Sequence, residues 1–543
     1  MPFAHLRDLA KFGVICDIDP YDLPDSAWSF GVNIRFRNGK ITGAPVFRNA
    51  FTLGTADPRY SVAASPVAGL DLLFTGYKNG RVWKFNGTET DYSITGYANT
   101  SAEALWTSTT LANVLYVNRA DRAPWYLRSS DARFQNLGVA SPTVNDWSAA
   151  WTTQVLRACG GALVALNVTK GATNYPQMVK TSSIPLSGVI PTSWDTTVAN
   201  TLATENILAE MKGPITDGQT LGNTLVIYGL QEAWLMQADQ SIEVYNYRKL
   251  PFQKGSINAN CSYERDGKHF VFGVDDIWMH DSNSALSIVD KKNRDFIFGS
   301  LNLSKRDRFF INANPQLNEL QFCYVSGDRA VSFLGGNGCN RAATLNLSDM
   351  TWTFDDLPLV FSASNANLSV SVTYATTTAT YDTTGGTYQD QEDGFKRTPV
   401  FVGEVNAAFG LGNTLYAYDL FGQGSTVSFP VDAAASCPRI LEREGIDLDS
   451  LNADLRGYKV LSSLYPQGRL GVGSAPLEFS VGATDYSNVP VTYSDYQPFD
   501  GAENYKLDFN VAGRFLAMKI RHDDFREMSL SGFDLDLIAG GQR

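Results

Sequence analysis

The side chains that most often carry out chemistry in proteins are few and widely spaced in this sequence. The four histidines form no HExxH pair, and the two closest cysteines, Cys323 and Cys339, are 16 positions apart. A zinc site or a dithiol redox pair needs closer spacing. Neither a GxSxG nucleophile motif nor a phosphate-binding glycine loop occurs. We therefore expect no cofactor, no metal and no catalytic residue, and interpret the chain as a non-enzyme.

Two kinds of acidic motif in the sequence could contradict that expectation. Three Asp-x-Asp doublets lack the third ligand and the glycine of a calcium-binding loop, so solvated turns are the favoured interpretation; they are Asp17/Asp19, Asp447/Asp449 and Asp534/Asp536. The stretch Ser326–Phe333 approaches the Asp-box of sialidases, but Ala330 stands where glycine is expected. The Asp-box is in any case a structural turn and not a catalytic motif. Two catalytic carboxylates that face each other across a cleft cannot be recognised from the spacing of residues in one sequence.

The elements that must position any site are short β-strands. Apolar runs of four to seven residues alternate with glycine-rich turns, and Asn-Gly pairs at 38–39 and 79–80 predict tight hairpins. A strand–turn–strand unit recurs from Leu72 to Leu320 in five intervals over 248 residues, about 50 residues each. This predicts an all-β fold, a β-propeller of about six blades with kelch-like spacing and further β-rich terminal elements. A large array of β-sandwiches is the alternative.

Four tryptophans occupy matching positions in the repeat: Trp83, Trp125, Trp234 and Trp278. We interpret them as packing between blades rather than as sugar-stacking rings. Helix-period segments are few, and the best are residues 199–212 and 448–455.

One segment stands outside the repeat. Residues 362–394 are rich in Ser and Thr, contain no Lys or Arg, and alternate in short stretches around a Gly-Gly pair. A projecting hairpin and a disordered surface loop are both compatible with this composition. Candidate hairpin residues are Leu368, Val370, Tyr374, Tyr381, Gly385, Gly386 and Tyr388.

The predicted organisation has five parts. Residues 1–60 form an N-terminal segment that closes the propeller or contacts a partner, and 61–361 form the blades. The projecting hairpin spans 362–399, return strands span 400–456, and a C-terminal β domain spans 457–543.

Composition narrows the function. The 543 residues carry 44 Lys+Arg and 56 Asp+Glu, so the net charge is 44 − 56 = −12. A dedicated binder of nucleic acid or anionic membranes would need a basic surface, so the acidic balance argues against both, but it does not exclude contact with DNA that slides rather than binds. We predict no export signal, no membrane anchor, and cysteines kept reduced in a cytosol.

Three stretches resemble one family. Asp22-Leu-Pro-Asp-Ser-Ala-Trp28, followed by Gly31-Val-Asn33 and the Phe36-Arg-Asn-Gly39 hairpin, is similar to the opening of tail nozzle proteins of short-tailed bacteriophages, also called tail tubular protein B-like. Residues 441–448 and 513–543 also resemble stretches of that family. Tyr381 and Tyr388 stand where the family leads us to expect tryptophans.

The resemblance implies a structural protein of the virion tail. Such subunits form a homohexamer below an adaptor ring, with tail fibres or spikes nearby, and double-stranded DNA passes through the ring during ejection. On this basis the 362–399 hairpin is a gate candidate, and the candidate assembly segment comprises Asp22, Pro24, Trp28, Asn33 and Phe36. The alternative function is a carbohydrate-binding or depolymerising propeller that recognises the host surface.

Overall fold

Strands dominate the computed structural model. It describes residues 3–54, 57–67, 70–85, 88–140, 146–198, 201–239, 244–327, 337–366, 397–404, 412–419, 438–448, 457–487, 489–524 and 526–539. Over these ranges there is one α-helix, Arg294–Ser300, and two 3-10 helices, Pro20–Asp22 and Leu303–Arg308. No helix in the described ranges is long and apolar enough to cross a membrane.

Five sheets of four antiparallel strands follow one another along the chain. Blade 1 contains Pro58–Val67, Leu70–Tyr77, Val82–Phe85 and Glu89–Asp91, and blade 2 contains Trp106–Leu111, Val114–Arg119, Trp125–Leu127 and Gln135–Asn136. Blade 3 contains Trp151–Cys159, Ala162–Lys170, Thr173–Thr181 and Glu205–Ile207. Blade 4 contains Asp217–Leu221, Thr224–Tyr228, Ala233–Ala238 and Tyr245–Lys249, and blade 5 contains Ser262–Arg265, Lys268–Phe272, Ile277–His280 and Ala285–Ser287. The first strand of each blade packs against the first strand of the next, so these strands surround an axis.

Two further blades share one long strand, Thr351–Ala366, which bends near Leu359, a residue with a positive φ of 54°. Blade 6 contains Phe310–Asn314, Glu319–Tyr324, Cys339–Asn346 and residues 351–356. Blade 7 contains residues 360–366, Thr398–Gly403, Thr414–Asp419 and the N-terminal strand Val46–Thr52. The Ser61 N–H donates to Ser362 Oγ at 3.2 Å, joining blade 1 to blade 7. A strand from the beginning of the chain therefore completes a ring of seven blades.

A β-sandwich lies beside blade 6. One sheet has the order Leu507–Gly513, Lys459–Leu470, Met528–Ala539, Lys40–Gly43 and Ile34–Arg37, with Phe3–Arg7 also on Met528–Ala539. The facing sheet contains Phe30–Val32, Arg439–Ile446, Phe515–His522 and Leu477–Thr484, and the last of these also pairs with Thr492–Tyr493 and Gln497–Phe499. Buried side chains from both sheets, such as Phe36, Leu464, Phe479 and Met518, form its core. Phe30–Val32 pairs in parallel with Thr351–Ala366, so the second sheet continues the sheet of blade 6.

The N-terminal segment is attached to the propeller in two ways. Gly13–Val14 and Ala27–Trp28 pair with each other, and Gly13 lies opposite Trp352 of blade 6. A buried ion cluster centred on Arg35 adds a second attachment. Its guanidinium donates two bonds of 2.7 Å to Asp355 of blade 6, one of 2.7 Å to Tyr418 Oη of blade 7, and lies 2.9 Å from Glu319 Oε1. Such a cluster holds together because every charge in it is paired.

The tryptophans pack between blades. Trp83, Trp125, Trp234 and Trp278 lie on the third strands of blades 1, 2, 4 and 5. The last three are buried, and Trp278 belongs to an apolar cluster that includes residues of blades 4 and 5.

The prediction of an all-β propeller with extra β-rich elements is confirmed. The ring has one blade more than the spacing indicated, because half of blade 7 follows residue 397 and its last strand precedes residue 53. The helix pattern at 199–212 was wrong: Glu205–Ile207 is the edge strand of blade 3. Asn38 and Gly39 both have positive φ, as a two-residue hairpin requires, but at 79–80 only Gly80 does.

Candidate functional site: the axial pocket of the propeller

A cavity of about 420 Å³ lies on the propeller axis and is lined by all seven innermost strands or the residues just before them. One lining residue from each blade is Tyr60, Ser108, Arg157, Gln219, Ser262, Phe310 and Phe361. Because each blade contributes its inner strand, no local sequence pattern contains more than one of these seven residues. A volume of this size suits a small ligand or a few side chains.

Part of the pocket wall is a polar network that joins neighbouring blades. Arg157 donates to Asp217 Oδ1 at 2.7 Å and to the Gly218 carbonyl at 2.8 Å, and Ser262 donates to Asp217 Oδ2 at 2.8 Å. Asn260 of the segment before blade 5 donates to the Trp106 carbonyl of blade 2 at 2.9 Å. These bonds tie blades 2 to 5 together across the axis, so a DNA duplex has no path through the propeller itself.

A second cluster, which we call the axial mouth, consists of Arg59, Lys78, Glu103 and Arg308, and Arg59 and Arg308 also line the pocket. The Glu103 carboxylate lies 3.2 Å from Arg59, 3.2 Å from Arg308 and 3.5 Å from Lys78. Burial alone would raise the pKa of Glu103, but the hydrogen bonds and charges of Arg59 and Arg308 lower it to about 2. Glu103 is therefore ionised at any physiological pH.

The two arginines of the mouth share one aromatic ring. The Arg59 guanidinium lies 4.1 Å from the centre of the Phe361 ring, and that of Arg308 lies 5.2 Å from it. Arg59 also lies 3.2 Å from Glu404 of blade 7. Stacking and ion pairing hold the Arg59 guanidinium in place.

The charged groups of the mouth are three cations and the Glu103 carboxylate that contacts them. Among the described residues, no three His, Cys, Asp or Glu side chains are placed to hold a metal ion. The five cysteines in the described ranges are free thiols, four of them buried.

A second polar cluster is fully internal. The Ser282 N–H donates to His280 Nδ1 (3.1 Å), His280 Nε2 donates to Tyr228 Oη (2.7 Å), Tyr228 donates to His269 Nδ1 (2.6 Å), and His269 Nε2 donates to the Thr220 carbonyl (2.7 Å). The Ser282 N–H can only donate and the Thr220 carbonyl can only accept, and a series that runs between them assigns both imidazoles as neutral. Burial lowers the pKa of His269, and burial with the nearby His269 lowers that of His280 to about 3. We call this series the histidine chain; being buried, it stabilises blades 4 and 5 rather than meeting a substrate.

The residues of the candidate assembly segment have separate roles. Trp28 is buried and donates from Nε1 to the Leu9 carbonyl at 2.9 Å, and Phe36 lies in the sandwich core. Asn33, with a positive φ of 58°, accepts from the Asp356 N–H at 3.0 Å. Asp22 and Pro24 are exposed. Contacts with another subunit in this segment would therefore use the turn around residues 22–24.

The candidate hairpin residues all fall in 367–396, outside the described residues. They are Leu368, Val370, Tyr374, Tyr381, Gly385, Gly386 and Tyr388.

The acidic motifs have structural partners. Asp17 accepts from the N–H groups of Asp295 and Phe296 at the start of the helix, and Asp19 accepts from the Tyr21 N–H. Asp534 is not in a turn: it lies on a strand and pairs with His5 and Arg7. Residues 328–336, most of the Asp-box-like stretch, lie outside the described ranges, as does residue 449.

Sequence reasoning missed the axial mouth. Its members stand at positions 59, 78, 103 and 308, and nothing in the spacing of single charged residues marks them as neighbours. The only available signal was position: Arg59 and Arg308 each come just before or at the beginning of an inner strand.

Comparison with known proteins assigns no family to this chain. No family model matches the chain, and no curated protein does. Solved structures that are similar include the WD40 β-propeller domain of Doa1 (TM-score 0.34, 9% identity, 59% of this chain and 90% of that one). The β-propeller domain of Cps50 (Swd1) from Myceliophteria thermophila gives a TM-score of 0.39 at 8% identity, over 68% of this chain and 99% of that one. A chain of a mitotic checkpoint complex gives 0.37 at 9% identity, over 69% and 93%.

Proposed function

We propose that this chain is a structural subunit of a bacteriophage tail nozzle. In this proposal six copies surround a channel at the distal end of the virion tail, below an adaptor ring and beside tail fibres or spikes. Double-stranded DNA passes through that channel during ejection without sequence-specific binding. The chain supplies shape and contacts, and it catalyses nothing.

One observation supports the proposal most. The three stretches that resemble the nozzle family are separated by up to about 500 residues, yet strands from all three lie in one β-sandwich. Gly31 pairs with Leu441, and Val32 pairs with Ile440. Both partners lie on the strand Arg439–Ile446, which also pairs with Phe515–His522. Ile41 of the N-terminal hairpin pairs with Leu530 of the last strand. The propeller units between the stretches also agree with the resemblance. Matching strands that pair with one another are what a shared fold would produce, whereas chance matches would be scattered.

Charge supports DNA passage over DNA binding. The net charge of −12 becomes 6 × (−12) = −72 in a hexamer, which repels phosphates from most of the wall. Because the axis of each propeller is closed by the Arg157 and Asn260 network, the channel must lie between subunits.

Cryo-EM of the tails of phage particles that contain this chain tests the proposal. We expect six propeller–sandwich units around a channel at the distal end. Finding the chain in a fibre or spike, or absent from the particle, would contradict it. Deleting residues 366–392 tests the gate separately, because unchanged DNA retention in assembled particles would remove the hairpin from that role.

Glycan recognition is the second candidate, and one observation favours it. The Tyr505 ring is largely exposed on the sandwich, 6.3 Å from that of Tyr465, and Lys506 and Asp508 form an ion pair next to it. An exposed ring beside polar groups is a surface on which a sugar can stack. Binding to host polysaccharide that is lost in Tyr505→Ala would support this function, and equal binding by the variant would oppose it.

A further inference from the structure

In the axial mouth the Glu103 carboxylate contacts three cations, one of which, Arg59, is also paired with Glu404, and the contacts of Glu103 are long. The contacts of Glu103 with Arg59, Arg308 and Lys78 measure 3.2 to 3.5 Å. Charge-assisted N–H···O bonds in a well-formed site are shorter, about 2.7 to 2.9 Å. Elsewhere in this chain Arg35 reaches Asp355 at 2.7 Å. Glu103 therefore occupies a position that a carboxylate with more freedom could occupy better.

The cations of the mouth are fixed, whereas the anion is replaceable. Arg59 has a side chain only 4% exposed, stacks on Phe361 and keeps an ion pair with Glu404. Glu103 comes from the exposed connection between blades 1 and 2. The backbone of that connection is held by the Thr100 N–H, which donates to the Asn79 carbonyl at 3.1 Å. Rotation of the Glu103 side chain alone can uncover the cations without moving the backbone.

We propose that the axial mouth binds carboxylate side chains of an acidic peptide segment from a partner protein, and that Glu103 is the internal competitor for this site. The rotated Glu103 leaves Arg308, Lys78 and one side of Arg59 available. The 420 Å³ pocket behind the mouth, with Tyr60 and Phe361 in its wall, accommodates neighbouring side chains of the same segment. This inference concerns the surface of a single chain and stands independently of the nozzle proposal.

Fluorescence anisotropy with a labelled, C-terminally amidated hexaglutamate tests the competition. In Glu103→Gln the internal carboxylate is neutral, so the fraction of mouths that are open rises. If that fraction is about one tenth in the unaltered protein, the apparent affinity increases about tenfold. Glu210→Gln is the matched control, because it makes the same charge change at an exposed site in the connection between blades 3 and 4. Equal affinities for the two variants would show that only net charge matters and would overturn the proposal.

Loss of a cation completes the test. Adding Arg308→Gln to Glu103→Gln should return the affinity to or below that of the unaltered protein, with an unchanged melting temperature as the check on folding. Should Glu103→Gln unfold, Glu103→Ala takes its place, since the side chain is about one third exposed and packs against no core. Unchanged affinity on loss of Arg308 would refute the site. Tighter binding of a single-stranded oligonucleotide of equal charge would refute the acidic peptide as its ligand.

Discussion

Acidification should weaken blades 4 and 5 through the histidine chain. Every member donates once and accepts once only while His269 and His280 are neutral. Protonating His280 at Nδ1 would place two hydrogens between that atom and the Ser282 nitrogen. Burial, with the neighbouring His269, lowers the pKa of His280 to about 3, although Asp281 acts in the opposite direction. In the unfolded chain the pKa of a histidine is about 6.5.

The direction and size of the effect follow from these two values. Between pH 6.5 and pH 3 the unfolded state binds the proton and the folded state does not, so stability present above pH 6.5 is lost as the pH falls. Each pH unit in this window lowers the free energy of opening by about 1.4 kcal/mol. Going from pH 7 to pH 5 should therefore remove roughly 2 kcal/mol through His280 alone.

Amide hydrogen exchange of the strands Lys268–Phe272 and Ile277–His280 measures this local opening. The free energy of local opening falls between pH 7 and pH 5, and in His280→Leu this fall should be smaller by about 2 kcal/mol than in the unaltered protein. The expectation holds whatever the stability of the variant at pH 7. His5→Gln is the control, because His5 is exposed on the first strand and should leave the difference unchanged. Deuterium exchange at the imidazole C2 atoms gives the pKa directly. A value near 6.5 for His280, or equal pH dependence with and without it, would refute the assigned hydrogen-bond directions.

Other predictions concern packing and buried charge. Arg35→Met leaves the carboxylate of Asp355 buried without its guanidinium and should destabilise the protein by about 3 to 5 kcal/mol, measured by urea denaturation; Asp355→Asn in the same background should restore part of the loss. Gly255→Ala places a methyl group 2.0 Å from the Gly229 carbonyl oxygen and should lower the melting temperature, whereas no change would mean that this loop yields easily. Arg443→Met removes donors to carbonyls of the N-terminal turn, so limited proteolysis should cut that turn faster, and an unchanged rate would contradict the role.

The sequence allowed the fold class to be predicted because the blades are local. Each of blades 1 to 5 is a contiguous meander, so strand length and turn residues suffice to indicate it. Blade 7 escaped prediction because Val46–Thr52 pairs with Thr414–Asp419, more than 350 residues later. Pairing between strands so far apart in sequence depends on which strand edge the ring leaves open. Many short alternating strands could pair with that edge equally well, so the sequence does not show which one does.

The axial mouth escaped for a related reason. Arg59, Glu103 and Arg308 become neighbours because their inner strands share an axis, and single charged residues at strand ends are common on any surface. In the candidate assembly segment the sequence pattern is recognisable, but its role differs from the predicted one. Trp28 and Phe36 pack inside this chain and are not exposed for contact with another subunit. A recognisable motif can thus report on a fold rather than on a contact with another molecule.

Pairing between strands more than 500 residues apart also has a consequence for biosynthesis. Phe3–Arg7 pairs with residues 532–536, so 532 − 7 = 525 further residues must be made after Phe3–Arg7 before the pairing can begin. At about 5 to 20 residues per second, this takes roughly half a minute to two minutes. Until then the first strand, and likewise Val46–Thr52, presents unpaired backbone groups to every other nascent chain nearby. Correct production of this protein should consequently depend on chaperone capacity during translation, and slowing the ribosome should increase aggregation.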